Sequence, residues 1–433
     1  MTDTKHILLF GAGKSASVLI HYFKKLVTEK NWFLTVVDSN LETVVQKTNN
    51  HPHIYPVGLD IKDDEPRYDL ISKADMVISL MPPALHYLIA KDCLIAGKHL
   101  LTASYIDENL KAMHKDIENA GLLFLCEMGL DPGIDHMSAM KLVHEIKAKG
   151  GQISSFKSHC GGLVAPESDD NPWHYKISWN PRNVVMAGKA GAVYKEANNI
   201  ITKNYNQLFG ENDLVDIEGL GKLAYYPNRD SLSYIPIYEL DEAATFIRTT
   251  LRYPSFCNGW KYIIDCKLTD EEKLYATDGM RLTDFYATHF KRHNLSPTSD
   301  DLLQKQMEFL GWNDSSVINK GLCSAADVLQ FALEEKLMLE PTDKDMVVML
   351  HEIEFGLNGT NYLQKSQLVI KGEDAVQTAM AKTVGLPLGI AAKLILENKL
   401  AITGLRIPVT ADIYNLVLPE LAKEGVLFED TIL

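Results

Sequence analysis

Ile7-Leu-Leu-Phe-Gly11-Ala-Gly13-Lys-Ser-Ala16 decides how this chain is read. An apolar run meets G-x-G-x-x-A close to the start of the sequence. Asp38 closes a second apolar run, Phe33-Leu-Thr-Val-Val-Asp38. Strand, glycine turn, helix, strand and terminal acid in that order are the pattern of a βαβ dinucleotide-binding unit. Gly11 permits the tight turn, Gly13 leaves the pyrophosphate room, and Ala16 is small enough for the helix to pack on the sheet. The phosphates then sit at the positive end of the helix, against unpaired backbone N–H groups. Gly11, Ala12, Gly13, Lys14, Ser15 and Ala16 are expected to form this cradle. Gly13-Lys14-Ser15 imitates the end of a nucleotide-hydrolase phosphate loop. That motif requires glycine where Leu8 stands, inside the strand, and is rejected.

Working outward, Asp38 is placed to accept hydrogen bonds from both ribose hydroxyls of an adenosine, which favours NAD. A 2′-phosphate would meet a carboxylate, and no arginine follows in Asp38-Ser-Asn-Leu-Glu42. The plainer role for Asp38 is to cap a helix starting at Leu41. Short apolar runs then alternate with helical patterns through residue 130, the signature of a parallel sheet. Strands are expected near Ile7–Phe10, Phe33–Val37, Ile54–Leu59, Met76–Leu80, Leu100–Ala103 and Leu122–Leu125. Helices are expected at Ser15–Lys25 and Pro83–Ala96, the latter opened by Pro82-Pro83.

The pattern changes at Gly129-Leu-Asp131-Pro-Gly-Ile-Asp-His136, where a helix runs to about Lys149 before glycine-containing strands follow. From 269 to 344 helical spacing dominates. Strands return at Met346–Glu354 and Asn361–Ile370, followed by a long helix, Asp374–Leu396, with a core-like apolar face. The order suggests nesting: a dinucleotide domain at 1–130, a mixed α/β domain at 131–268 and 345–399, and a helical insertion at 269–344. Residues 400–433 are expected to return to the first domain. A crevice at the junction of the first two domains is expected to hold the substrate.

The chain has 433 residues and a net charge of -14, which disfavours nucleic acid and anionic membranes as partners. Its 46% hydrophobic and 23% charged content is that of an ordinary globular protein. The six cysteines form no C-x-x-C pair, so no metal site is expected, and reduced thiols fit a cytoplasmic location. No signal peptide is evident, and no apolar run is judged long enough to span a bilayer.

Several segments suit ligand chemistry. Asp131-Pro132 precedes a helix; its carboxylate is read either as an N-cap or as a partner for a substrate ammonium. His159-Cys160-Gly161-Gly162 follows a strand, and its paired glycines point either to a ligand approaching the backbone or to a bulge. Asn171-Pro-Trp-His-Tyr-Lys-Ile-Ser-Trp179 reads as a pocket wall or as core. Arg229 and Arg252 each offer a fork that matches a carboxylate, and two such clamps suit a substrate with several carboxylates.

Together these residues resemble the saccharopine dehydrogenase (L-glutamate-forming, or saccharopine reductase) family of lysine metabolism. The resemblance is carried by Val77-Ile-Ser-Leu-Met-Pro82, Thr102-Ala-Ser-Tyr-Ile106, Gly129-Leu-Asp-Pro-Gly-Ile-Asp-His-Met137, Cys160-Gly-Gly-Leu163, Ala165-Pro-Glu167, Tyr226-Pro-Asn-Arg-Asp230, Thr250-Leu-Arg-Tyr253 and Thr383-Val-Gly-Leu-Pro387. It runs along nearly the whole chain and is weakest in the helical insertion. It implies a Rossmann-type doubly wound parallel sheet, a mixed α/β substrate domain and an all-helical insertion. It also implies substrate contacts at Ser104, Tyr105, Asp131, Arg229, Thr250 and Arg252. Cofactor contacts are implied at the 11–16 turn, Asp38, Asp60, Ile61, Leu80, Met81 and Pro82. Val164 replaces the proline usual after C-G-G-L. Asp38 stands where fungal NADP-dependent members carry an arginine-bearing turn, so the chain looks more like the NAD-using animal domain, with NADP as the second possibility.

The implied reaction interconverts saccharopine with L-glutamate and 2-aminoadipate 6-semialdehyde by hydride transfer to a nicotinamide. Asp131 and Cys160 are the first candidates to take the amine proton, and His159 is the third. The rival readings are a carboxynorspermidine dehydrogenase-like imine reductase, whose single carboxylate gives paired arginines little purpose, and a non-catalytic dinucleotide sensor. A homodimer is a further expectation.

Overall fold

The six apolar runs expected near the N-terminus are all strands, and their burial shows why. Ile7, Leu8, Leu9, Leu34, Val36, Met76, Val77, Ile78, Leu101 and Leu125 are wholly buried, as in a parallel sheet covered on both faces. The computed structural model describes residues 4–210 and 212–433, so the first three residues of the expected 1–130 domain, and residue 211, lie outside the described residues.

The strands are β1 (His6–Phe10), β2 (Phe33–Asp38), β3 (Ile54–Gly58), β4 (Met76–Ser79), β5 (His99–Thr102) and β6 (Leu123–Leu125). The connecting helices are α1 (Ala16–Lys30), α2 (Leu41–Thr48), α3 (Asp64–Lys73) and α4 (Pro83–Ala96). The sheet order is Gly404–Arg406, β6, β5, β4, β1, β2, β3, and every pairing is parallel. The order reverses between β1 and β4, the switch point where such folds bind nucleotides at the carboxyl ends of their strands.

The first compact unit takes the described residues up to Lys149 together with Val376–Leu427. It therefore extends past the expected boundary at 130, because the helix Ile134–Ala148 packs with the helix Ala411–Lys423. It also takes the helix Ala379–Leu396, which had been expected in the second domain. Gly385 and Gly389 explain this: a Cβ on either would meet Leu19 or Tyr22 of α1 at 2.8–3.0 Å, so α1 packs closely here. That helix begins at Ala379, with Thr378 as its N-cap, rather than at Asp374. It is 18 residues long and apolar enough by length and composition to cross a membrane, contrary to the expectation from sequence. With 67% of it buried, it reads as a core helix.

The second unit comprises Gly150–Ala375 and Phe428–Leu433. Its mixed sheet runs Asp213–Ile217, Gly221–Pro227, Thr245–Arg252, Gln152–Val164, Asp345–Leu357, Thr360–Lys371 and Glu429–Ile432, with a hairpin of Ala192–Glu196 and Asn199–Lys203 attached. The residues expected to return to the first unit are thus divided, since Glu429–Ile432 pairs with Thr360–Lys371. The stretch 269–344 holds the helices Leu282–Arg292, Asp301–Phe309 and Ala325–Lys336 and a small two-stranded sheet. It shares one apolar core with Trp173, Tyr175, Phe256 and Trp260, so it belongs to the second unit. All six cysteines are buried.

Candidate active site

In the first unit, every expected cofactor residue lies at or just past the carboxyl end of a strand. At the end of β1, Gly11 has φ 100°, and a Cβ there would stand 2.9 Å from the Leu80 carbonyl oxygen. Only glycine fits. A Cβ on the exposed Gly13 would meet nothing within 4 Å, the open approach a pyrophosphate requires. Ser15 caps α1 without a side-chain hydrogen bond, which leaves the helix N-terminus to an incoming anion. The residues present therefore fit a dinucleotide.

Asp38 Oδ2 accepts from the Ala12 N–H at 2.8 Å, and its Oδ1 accepts from Asn40 N–H at 3.1 Å. Asn40, not Asp38, caps α2. Asp38 braces the glycine turn from the neighbouring strand. Asp60 is exposed after β3, while Ile61 is buried and its carbonyl accepts from Arg67. Arg67, itself buried, is fixed by Asp92 at 2.7 Å, so this ion pair holds the loop in place. Leu80, Met81 and Pro82 follow β4, and Leu80 N–H bonds the Phe10 carbonyl.

Lys47 of α2 was not singled out in the sequence, and nothing there marked it. Its Nζ donates to the Gly13 carbonyl at 2.6 Å and to Ser17 Oγ at 2.8 Å. Burial pushes its pKa down to about 8, with Asp38 pulling upward and Lys14 downward.

Ser104 and Tyr105 follow β5 and are half-buried. Their loop is tied to Glu127, whose N–H donates to the Ser104 carbonyl at 3.0 Å and whose carboxylate faces Ile106 N–H at 3.4 Å. Glu127 is buried, sits in the left-handed region at φ 55°, and meets His136 Nε2 at 2.8 Å. His136 belongs to the helix that follows Asp131, so one buried pair sets both loops. The helix N-cap is Gly133, with Asp135 Oδ1 accepting its N–H at 2.6 Å. The half-buried Asp131 is therefore not the cap.

In the second unit, strand alternation sorts the candidates. Cys160 stands opposite Thr250, and His159 opposite Thr249, in the parallel pair Gln152–Val164 and Thr245–Arg252. Side chains alternate between faces, so Cys160, Thr250 and Arg252 share one face and His159 points to the other. There His159 is wholly buried, bonds Thr249 Oγ1 through Nδ1 at 2.7 Å, and has Nε2 3.4 Å from Glu352. Burial holds its pKa below the ordinary value. Position thus separates His159 from Cys160 as candidates for the amine proton.

Arg252 is 5% exposed. Its guanidinium lies over the rings of Tyr175 and Phe256 at 5.3 and 5.4 Å, and Nη1 donates to the Leu251 carbonyl at 2.8 Å. Its Nε has no hydrogen-bond partner, and no carboxylate among the described residues pairs with it. Tyr175, at the centre of the aromatic run, is both core and the floor beneath this cation. Gly161 is explained by packing, since a Cβ would lie 2.6 Å from the Leu251 carbonyl oxygen. The register shows no bulge at this point. Arg229 is exposed and held at φ 51° in a short strand beside Ala192–Val193.

The family profile described as "Saccharopine dehydrogenase C-terminal domain" matches residues 129–426, and "Saccharopine dehydrogenase NADP binding domain" matches residues 7–125. The chain belongs to the saccharopine dehydrogenase family. It is 33% identical over 99% of its length to the mitochondrial alpha-aminoadipic semialdehyde synthase of Bos taurus, of which it covers 48%. It likewise spans 45% of the corresponding Arabidopsis thaliana protein, so it is about half the length of these relatives. Saccharopine dehydrogenase [NADP(+), L-glutamate-forming] of Saccharomyces cerevisiae is 31% identical, with 98% of this chain and 99% of that one covered. The solved apo, histidine-tagged saccharopine dehydrogenase (L-Glu forming) from the same yeast superposes with a TM-score of 0.90 at 29% identity, covering 99% of this chain and 100% of that one. The family's nucleotide-binding module supports a nicotinamide cofactor. NAD as the primary form, expected from Asp38, finds no support: the fungal relatives carry NADP(+) in their names.

Proposed function

We propose that this chain is a saccharopine dehydrogenase (L-glutamate-forming), with NADP as its preferred acceptor. The observation that carries the reading is the Arg252 guanidinium, buried without an acidic partner beside Thr250 and Cys160. A buried charge is costly unless paired, so a bound carboxylate is the natural partner. Saccharopine brings three carboxylates and two ammonium groups, about one net negative charge near neutral pH. Arg252 holds one carboxylate and Arg229 a second. Ser104, Tyr105 and Thr250 supply neutral polar contacts, and Asp131 receives an ammonium.

The dinucleotide supplies a hydride acceptor, positioned by the 11–16 turn, Asp60-Ile61 and Leu80–Pro82. Asp131 and Cys160 are the groups proposed to take the proton from the bridging secondary amine, since hydride cannot leave beside a fully protonated nitrogen. The substrate carbon then gives up its hydride to form an imine. Water adds to the imine carbon, and the C–N bond breaks to release glutamate and 2-aminoadipate 6-semialdehyde. NADP is preferred because Asp38 already serves the backbone N–H groups of Ala12 and Asn40, and because the fungal relatives carry NADP(+) in their names.

Absorbance of the reduced nicotinamide, followed with saccharopine and either NADP or NAD, tests substrate, chemistry and acceptor together. Turnover with NADP at the higher kcat/KM is expected. No reduction with either acceptor would remove the assignment. Asp131→Asn and Cys160→Ser are each expected to cut kcat and move the pH–rate profile if the residue handles the proton.

A further inference from the structure

His86 of α4 is a buried imidazole that reaches a proposed substrate contact in the first unit. It is 3% exposed. Its Nε2 lies 2.7 Å from Ser104 Oγ, and its Nδ1 lies 2.8 Å from Ser79 Oγ. Thr102 Oγ1 approaches the same Nδ1 at 3.5 Å and accepts the Ser104 N–H at 3.2 Å. Ser79 and Thr102 are register partners at the ends of β4 and β5, so the sheet itself brings both hydroxyls to one nitrogen. Burial pushes His86 down to about 4, with Asp107 pulling weakly the other way, so the ring is neutral near pH 7.

A neutral imidazole has one N–H and one bare nitrogen. Ser79 and Thr102 have no other hydrogen-bond acceptor among the described residues for their hydroxyl protons. A buried hydroxyl left without an acceptor is unfavourable. Both therefore direct their protons at Nδ1, which makes Nδ1 the bare nitrogen and places the ring proton on Nε2. That proton is donated to Ser104 Oγ. Ser104 then has one of its two lone pairs engaged and its own proton free of any protein acceptor.

We propose that His86 is a positioning residue: Ser79 and Thr102 fix its Nε2–H tautomer, and this commits the Ser104 hydroxyl to donate to an anionic oxygen of the substrate. The opposite tautomer would turn Ser104 into an acceptor, suited to an ammonium. A device built from two neighbouring strands and one helix thus sets which end of a zwitterionic substrate is accepted here. The inference rests on the reading of Ser104 as a substrate contact.

Two measurements separate the tautomer from that reading. Nitrogen-15 spectra of the imidazoles, with His86 assigned by loss of its signals in His86→Gln, are expected to show a neutral ring protonated at Nε2. A ring protonated at Nδ1, or charged at neutral pH, overturns the inference. In kinetics with saccharopine, Ser104→Ala is expected to raise KM about tenfold or more. Ser79→Ala and His86→Phe should do the same with the dinucleotide KM unchanged. His86→Gln, which keeps a donor near the Nε2 position, should recover most of the loss. His86→Phe added to Ser104→Ala should cost nothing further. If Ser104→Ala leaves saccharopine kinetics unaltered, the substrate role of Ser104 fails while the spectra still judge the tautomer. If Ser104→Ala is impaired and neither Ser79→Ala nor His86→Phe is, the positioning role falls. Ser79→Ala removes only one hydroxyl, so it keeps the test open should His86→Phe not fold.

Discussion

At the scale of single residues, Arg252 shows how a functional group and a stability cost coincide. Its guanidinium is out of water, stacked on two rings, and lacks a carboxylate. Such a charge is tolerated when a ligand is the intended counter-charge, and natural sites often trade stability for function. Arg252→Met keeps the length and the ring contacts but removes the charge. The thermal midpoint of the unliganded protein should stay level or rise by a few degrees, while saccharopine capture falls by about a hundredfold or more. Arg252→Lys keeps the charge and loses the fork, so KM for saccharopine should rise with KM for the dinucleotide unchanged. Calorimetry and initial rates check both. A midpoint several degrees lower for Arg252→Met would mean that the cation is structural. That two arginines suit a polyacid was legible in the sequence. The missing partner at Arg252 was not, because only the fold shows which acids come near it.

At the scale of elements, the glycine turn, β2 and α2 act together, and their coupling is electrostatic. Lys47 reaches from α2 to the Gly13 carbonyl and Ser17, and burial holds its pKa near 8 against an ordinary value of 10.5. Below about pH 8 the folded, unliganded protein carries this ammonium at a cost. Between about 8 and 10.5 only the unfolded chain keeps the proton, so stability from this group rises with pH. Bound phosphates favour the charged form, so dinucleotide binding takes up a proton. Affinity should fall about threefold to tenfold between pH 7 and 9, and Lys47→Gln should flatten that dependence. Fluorescence titration of the dinucleotide across this range is the measurement; equal slopes in the two proteins would exclude Lys47. Period-two and period-3.6 patterns disclosed the strands and helices around this turn, since sheet burial and helix packing write themselves into local sequence. Lys47 and His86 stayed invisible because their partners lie on other elements, 18 and 34 residues away in sequence for Ser104 and Gly13. Likewise, alternation along Gln152–Val164 separates His159 from Cys160 only once the neighbouring strand fixes the faces.

At the scale of the whole molecule, the chain is nested, and nesting is what local patterns convey least. The first unit is closed by a strand, Gly404–Arg406, that pairs with β6 about 280 residues away in sequence. The second unit is completed by Glu429–Ile432, after the chain has left the first. The return of the C-terminal segment was anticipated, but the division of that segment was not, since each piece is too short to carry a period. The two pieces should differ sharply in what their removal does. All four residues of Glu429–Ile432 are exposed at a sheet edge, so deleting 429–433, which leaves Phe428 stacked on His351, forfeits few buried contacts there. Such a protein should keep its dinucleotide affinity within about twofold and lose little thermal stability. Deleting from 401 onward removes a sheet strand and the helix Ala411–Lys423, whose Ile413, Val417 and Leu421 are wholly buried. It strips the helix Ile134–Ala148 of its neighbour, and with it the support beneath the Asp131 loop and the Glu127–His136 pair. Three buried aliphatic side chains are worth roughly 5–9 kcal/mol, comparable to the whole stability of a domain. Dinucleotide binding and the cooperative unfolding of the first unit should both disappear, as read by fluorescence titration and circular dichroism. Undiminished binding in the longer deletion would show that the nucleotide fold closes without its C-terminal strand.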